Sequence, residues 1–335
     1  MASIEDVRNV DLNSNSLEAF NADQNIQSAN RLGRTAELFQ RNSLPSPPSS
    51  TRRTSFSSTS PRMLDSNSLV TAKALGDFQA QADDVLDLIS IGMGPAALAI
   101  GIAIADSYSK VSVEARQLPK VRFLEKQDHF AWHAGMQLPE AKMQISFLKD
   151  LATPRDPTSP FSFVNYLHTH DRLNKFINLG TFLPARFEYE DYMKWCASHF
   201  DKCTEYGSEV EEVQPIFEED GKTLKHFEVS WKNTQSSQGK TLRARHVIIA
   251  TGGRPKFPEW CEEFTTGQNP MVVHSSQYKF LQANLEGKNP QKFVVLGAGQ
   301  SSAEIFNDLW ERFPESDITW LIRSAALKPS DDSPL

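Results

Sequence analysis

Twice in this chain a β-branched stretch runs into a Gly-x-Gly turn and then into a helix-forming segment, and no other feature of the sequence narrows its fold as much. The first instance reads Ile89-Ser90-Ile91-Gly92-Met93-Gly94-Pro95-Ala96-Ala97-Leu98-Ala99, after an apolar run that begins at Val85. The second reads Phe293-Val294-Val295-Leu296-Gly297-Ala298-Gly299-Gln300-Ser301-Ser302 and continues as an amphipathic helix through Phe306, Leu309 and Trp310. Strand, glycine turn and helix in that order open a dinucleotide-binding βαβ unit. Gly92 permits the tight turn, Gly94 lets a pyrophosphate approach the backbone, and the amides at the helix start favour the anion. Pro95 at the first helical position costs nothing, because its missing N–H would have no partner inside the helix. Ala97 allows helix and strand to pack closely. Gly297 and Gly299 take the same parts in the second unit, with Gln300 and Ser301 opening its helix.

One such turn alone is more often an ordinary strand-to-helix connection, so the residue that ends the next strand decides. The second strand of a dinucleotide unit ends beside the adenosine ribose. In the first unit that strand reads Val121-Arg122-Phe123-Leu124-Glu125, placing a carboxylate where ribose hydroxyls need an acceptor. In the second it reads Ile318-Thr319-Trp320-Leu321-Ile322-Arg323, placing a guanidinium where a 2′-phosphate needs a bidentate donor. FAD in the first unit and NADPH in the second is the assignment that results. Glu125 comes after Gly94 at a longer interval than the usual ~20 residues, and the polar stretch from Lys110 to Lys120 reads as a surface insertion that absorbs the difference.

The fold class expected is α/β with two Rossmann-like units, residues 84–253 forming the first and 254–335 the second. Leu173 to Phe182 and Tyr189 to Phe200 read as helices. Val210 to Phe217 and His226 to Lys232, joined through Asp220-Gly221, read as an antiparallel pair. His246 to Ala250 is expected as a buried parallel strand that ends at Thr251-Gly252-Gly253, with Pro255 and Pro258 stiffening the exit towards the second unit. Residues 1–83 are expected to be a disordered leader, because Arg41 to Arg62 is dominated by Ser, Thr and Pro and cannot offset its own ordering entropy. Transient helix is expected there around Ser16 to Phe20 or Arg31 to Phe39, and Arg52-Arg53-Thr54-Ser55 reads as a solvated basic pair rather than a kinase site.

A formal net charge of −7 argues against a nucleic-acid partner. Cys196, Cys203 and Cys261 form neither a C-x-x-C pair nor an even framework, which fits a reducing compartment. Met1 to Asn15 carries Glu5, Asp6 and Asp11 with no apolar run, unlike a secretory or transit peptide, so the cytoplasm is expected. Val85 to Ala105 is apolar, yet Asp87, the glycines and Pro95 punctuate it as strand, turn and helix rather than a membrane span. His129 and His133 lack the Glu of H-E-x-x-H, and His168 and His170 have no further ligand nearby, so no metal is expected.

Between the two turns lies a stretch without simple period: Phe130-Ala131-Trp132-His133-Ala134-Gly135-Met136, then Lys142-Met143-Gln144-Ile145-Ser146-Phe147-Leu148-Lys149-Asp150-Leu151-Ala152-Thr153-Pro154-Arg155-Asp156-Pro157-Thr158-Ser159-Pro160-Phe161-Ser162-Phe163. With the two glycine turns, Ala250-Thr251-Gly252-Gly253 and the segment from Arg323 to Pro334, it resembles the N-hydroxylating flavin monooxygenases, specifically the fungal L-ornithine N5-monooxygenases of hydroxamate siderophore synthesis. The likeness runs from about Asp84 to Leu335. It implies an FAD domain with an inserted NADPH domain, and hydroxylation of the ornithine side-chain amine with NADPH and O2. Gly92 to Ala99, Trp132, His133 and Gln144 would contact FAD, Val210 would hold the adenine through its backbone, and Lys149 would bind the substrate carboxylate. Gly299, Gln300, Ser301 and Arg323 would hold NADPH. From its own surroundings in the sequence, Lys149 reads as a surface ion pair with Asp150 or another neighbour; the resemblance reverses that preference.

The resemblance also implies sequence beyond Leu335, so both nucleotide domains are expected to be incomplete here and the chain by itself inactive. A truncated, inactive paralogue and a lysine N6-hydroxylase stand as alternatives, and a homo-oligomer is left open. A Baeyer-Villiger or other class B monooxygenase is disfavoured, because His274 stands seven residues after Gly267 rather than four. A disulfide reductase lacks its cysteine pair. A hydrolase read from Gly299-Gln300-Ser301-Ser302-Ala303 lacks the last glycine of a nucleophile elbow.

Overall fold

The computed structural model describes residues 67–78, 84–111, 117–266, 271–285, 291–323 and 327. The expected leader helices, the Arg52 to Ser55 pair and Gly267 lie outside the described residues, as do 112–116 of the expected insertion. In chain order the elements are α1 (Asn67–Ala74), β1 (Val85–Ile91), α2 (Pro95–Ser109), β2 (Val121–Leu124), α3 (Phe163–Thr169), α4 (Leu173–Asn178), α5 (Arg186–Ser198), β3 (Thr204–Glu205), β4 (Ser208–Phe217), β5 (Leu224–Asn233), β6 (Gly239–Ile249), α6 (Tyr278–Leu285), β7 (Lys292–Leu296), α7 (Gln300–Arg312) and β8 (Asp317–Leu321).

Six strands form one sheet in the order β3-β2-β1-β6-β5-β4, and β7 and β8 form a second. β1 runs parallel to both β2 and β6, as a βαβ crossover through α2 requires. β5 is antiparallel to β4 and β6, so the expected hairpin is appended to the edge of the parallel part. β7 and β8 are parallel and joined by α7, which repeats the β1-α2-β2 arrangement.

The largest core lies where α2, rich in Ala and Ile, meets the aromatic face of α5. Ala97, Leu98, Ile102 and Ala105 pack there with Phe123, Phe161, Phe163, Tyr166, Tyr192 and Phe200. A Cβ on Gly101 would stand 3.1 Å from the Phe123 ring and 3.2 Å from the Phe200 ring, so α2 approaches this cluster more closely than a larger residue allows. The opposite face of the sheet is closed by Leu86, Ile89, Val229, Trp231 and Ala244.

Four expectations are corrected. Residues 67–78 are not leader: α1 and the residue after it bury Ser68, Thr71, Ala72 and Leu75, and the Ser68 hydroxyl donates to Ser109 Oγ at 3.0 Å. Their helical spacing carried this packing, and the Ser/Pro composition upstream does not extend to them. The helix from Leu173 stops at Asn178, because the chain turns through Gly180 at φ +61°. β6 begins seven residues earlier than expected and is not buried at its end: Ile249 is 75 % exposed, since no described element covers that face. Trp310 likewise lies on the open side of α7, whose packed face passes through Ile305, Phe306, Leu309 and Phe313.

Candidate functional site: two glycine turns and the segment between them

The two turns share one geometry. Gly92 has φ +95° and Gly297 φ +125°, values that favour glycine. The Gly92 amide donates to Leu124 O at 2.7 Å and the Gly297 amide to Leu321 O at 2.9 Å, so each turn is tied to the end of its second strand. A Cβ on Gly92 would stand 2.6 Å from Ala250 O, which brings the Ala250-Thr251-Gly252-Gly253 turn against the first glycine turn. Gly94 and Gly299 are the N-caps of α2 and α7, and a Cβ on either would meet nothing within 4 Å. The space over both helix N-termini is therefore open, and the orphan amides of each first turn face it. Pro95 starts α2, and Ala97 is fully buried where the helix meets the core.

Glu125 stands immediately after β2. Its Oε2 accepts from the Met93 amide at 2.8 Å and its Oε1 from the Gln127 amide at 2.9 Å, so the carboxylate is fastened to the first turn itself. The Ser208 amide donates to Glu125 O at 2.7 Å, which places the start of β4 beside the same strand end. Val210 lies two residues along, opposite Trp231 and next to an irregularity in the strand register. In the second unit Trp320 Nε1 donates to Gly297 O at 2.7 Å and steadies the turn. Arg323 is exposed one position beyond the equivalent of Glu125. Ser301 is exposed, and Gln300 Nε2 donates to Glu304 Oε1 at 3.1 Å.

The segment without period owes part of its composition to architecture. Asp150 is buried and accepts from the amides of Ala152, Thr153 and Phe163 and from the Thr153 hydroxyl, which folds the loop upon itself. Asp106 of α2 is buried and receives the guanidinium of Arg155 and the hydroxyl of Ser159. Lys149 is exposed, and its ammonium makes no ion pair with any described residue, so the surface pair with Asp150 is not formed. Its carbonyl accepts from Tyr189 Oη at 3.4 Å. Gln144 is half-buried where this segment runs beside residues 182–186.

Trp132 and His133 sit where this segment meets α5. The Trp132 amide donates to Glu190 Oε1 at 3.3 Å, and its ring lies 4.7 Å from that of His133 and 6.0 Å from that of Tyr189. His133 takes a left-handed backbone conformation at φ 48°. Burial, and after it the charge of Arg186, holds the His133 imidazole below its ordinary value of 6.5.

Sequence reading missed Arg186 and Glu304. Arg186 Nη1 and Nη2 donate to the two Glu304 oxygens at 2.7 Å each, and Nη1 also donates to Met136 O at 2.9 Å. No local pattern announces a pair separated by 118 positions. Glu190 was missed too, although a carboxylate among Tyr189, Tyr192, Met193 and Cys196 on the buried face of α5 was a signal that could have found it.

A parallel unit with its glycine turn, repeated on one chain, defines an α/β protein of the two-dinucleotide type. The chain belongs to the L-lysine 6-monooxygenase/L-ornithine 5-monooxygenase family, whose profile matches residues 84–335. It is 50% identical over 260 residues to L-ornithine N(5)-monooxygenase SIDA of Beauveria bassiana, covering 76% of this chain and 47% of that protein. The solved ornithine hydroxylase PvdA from Pseudomonas aeruginosa is similar at 39% identity and a TM-score of 0.67, covering 75% of this chain and 58% of that one. The ornithine N-hydroxylase KtzI of Kutzneria sp. 744, determined with reduced FAD, NADP+ and L-ornithine, is similar at 33% identity and a TM-score of 0.65, covering 75% of this chain and 56% of that one. The chain spans about half the length of the curated relatives it matches.

Proposed function

We infer that the chain carries the FAD-binding and NADPH-binding turns of a monooxygenase that hydroxylates the side-chain amine of L-ornithine with O2, the cytoplasmic first step of hydroxamate siderophore synthesis. One observation carries this reading: two glycine turns of matching geometry, one leading to a carboxylate and the other to a guanidinium, in a chain half-identical to an L-ornithine N5-monooxygenase. In this reading residues 84–253 belong to the FAD domain and 254–335 to the NADPH domain.

The residues present fit both cofactors. The space above Gly94 and Gly299 is what a pyrophosphate fills, and a Cβ there would intrude on it. Glu125 would accept from the FAD ribose with the lone pairs that Met93 and Gln127 leave over. Arg323 would hold the 2′-phosphate of NADPH. Trp132, His133 and Gln144 would line the flavin, and Val210 would meet the adenine. Bound flavin and NADPH supply the electrons and the activation of O2.

Lys149 would anchor the substrate through its carboxylate, with an ammonium that no described acid competes for. An ordinary side-chain amine has a pKa of about 10.4. Attack on oxygen needs its neutral form, so the site must exclude water around it and take up its proton.

In the full-length protein, Lys149→Ala is expected to raise the ornithine KM at least tenfold while flavin content and NADPH oxidation stay near those of the parent. Hydroxylamine product and NADPH consumption, assayed side by side, check this. Parallel loss of both would make Lys149 a support of the flavin rather than of the substrate.

A further inference from the structure

The segment between the glycine turns does not belong to one unit. Trp132 docks on α5 through Glu190, yet Met136, Leu138 and Ala141 are buried with Tyr278, Val295, Leu309 and Phe313, inside the core of the β7-α7-β8 unit. A Cβ on Gly135 would stand 1.8 Å from Ser276 O, so the backbones of the two parts are in contact there. Residues 132–141 thus form a strap that leaves the first unit after Trp132, packs into the second through Met136 and Leu138, and returns to the first where the Arg186 amide donates to Ala141 O at 2.8 Å.

At the crossing sits the Arg186–Glu304 pair, 12% and 11% exposed at its side chains. Arg186 opens α5 in the first unit, and Glu304 lies in the first turns of α7, the helix whose N-cap is Gly299. The fork of the guanidinium meets both carboxylate oxygens at 2.7 Å and also reaches Met136 O of the strap. Glu304 in turn accepts from Gln300, the first residue of α7. A bidentate pair fixes direction as well as distance, so this contact sets the angle of α7 on α5 where the packing of the strap brings the two units together.

We propose that Arg186 and Glu304 are positioning residues that hold the second glycine turn at the angle from which the nicotinamide of a nucleotide bound there reaches the flavin. The pair touches neither nucleotide-binding turn's open space directly; it acts through α7 and the strap. This rests on the assignment of the two turns to FAD and NADPH. Loss of the pair then slows electron transfer between the nucleotides without removing the groups that bind them, a split that mere structural support does not produce.

The test uses the full-length protein with Glu304→Gln, which keeps shape and loses charge, and Arg186→Lys, which keeps charge and loses the fork. Because a lone buried charge can unfold a variant, the double variant Arg186→Met with Glu304→Leu is made alongside. Flavin content and NADP+ affinity, measured by titration, are expected within about twofold of the parent in all three. Flavin reduction at saturating NADPH under anaerobic conditions is expected to fall at least tenfold in each, and amide hydrogen exchange across residues 300–305 and 133–137 to quicken at least tenfold. Parental reduction rates, or NADP+ affinity falling as far as the rate, would overturn the proposal. A parent protein that binds neither nucleotide would sink the cofactor assignment instead; unchanged exchange in the variants would then refute the pair as the tie between strap and α7.

Discussion

The two glycines of each turn do different work, and substitution separates them. Gly92 has positive φ and lies against Ala250 O, so Gly92→Ala is expected to disturb the fold itself, seen as a lower melting temperature. Gly94 has ordinary φ and open space around its missing Cβ. Gly94→Val is therefore expected to purify without flavin and to melt near the parent stripped of its flavin, which the visible absorbance band of the flavin and a thermal scan together reveal. A yellow Gly94→Val protein would remove the pyrophosphate from that turn. Arg323 is exposed two residues past the end of β8, so Arg323→Ala is expected to leave stability unchanged. Charge-assisted bonds to a 2′-phosphate are worth about 1.5–3 kcal/mol, so the variant's NADPH KM should rise about tenfold or more while that for NADH stays put. Equal losses with both nucleotides would contradict a 2′-phosphate role.

Among the elements, α1 shows how a short segment joins a core by one close approach. It packs on α2 through Ala72 and Leu75, and beyond it Gly76 lets the chain pass the 201–203 turn: a Cβ there would stand 2.4 Å from the Lys202 carbonyl carbon. Backbone cannot yield as a flexible side chain does, so Gly76→Ala is expected to cost about 1–3 kcal/mol, as overpacking usually does. Chemical denaturation reads the change in midpoint, and a variant as stable as the parent would mean that α1 is not part of the cooperative core. α5 shows the opposite strategy. Its buried face carries Tyr189, Glu190, Tyr192, Met193 and Cys196, and its polar members find specific partners: Glu190 the Trp132 amide, Tyr192 Oη the Phe161 carbonyl at 2.8 Å.

For the whole molecule, a buried histidine makes stability depend on pH. His199 is buried, with Nδ1 donating to Trp195 O at 2.8 Å, and burial is the main cause that holds its imidazole below the ordinary 6.5. A group whose folded-state value is depressed is protonated first in the unfolded chain. Its contribution is complete above about pH 6.5 and is lost as the pH falls through that value towards the lower folded one. Urea midpoints are expected to decline from pH 7.5 to about 5.5, and the His199→Asn variant, whose amide can still donate to Trp195 O, to show a flatter decline. An unchanged slope would transfer the effect to His133, which is lowered by burial and by Arg186.

What the sequence determined by itself was local: where β1 starts and stops, that α2 begins at Pro95 and α7 at Gln300, which glycines must turn, and that β4 and β5 form a hairpin. These features arise from φ preferences, missing donors and alternation, which act between neighbours in the chain. Of the candidate residues at the strand ends, Glu125 follows β2 directly as expected, whereas β8 stops at Leu321 and leaves Arg323 two residues past its end. Tertiary structure alone decided that Met136, Leu138 and Ala141 enter the core of the second unit, that Arg186 meets Glu304, and that Ile249 stays exposed at 75 %. Each depends on which surfaces meet across long stretches of chain. A hydrophobic residue declares that it will be covered, but not by what, because burial has no direction; a charged pair has direction, but only once packing has brought its partners within reach.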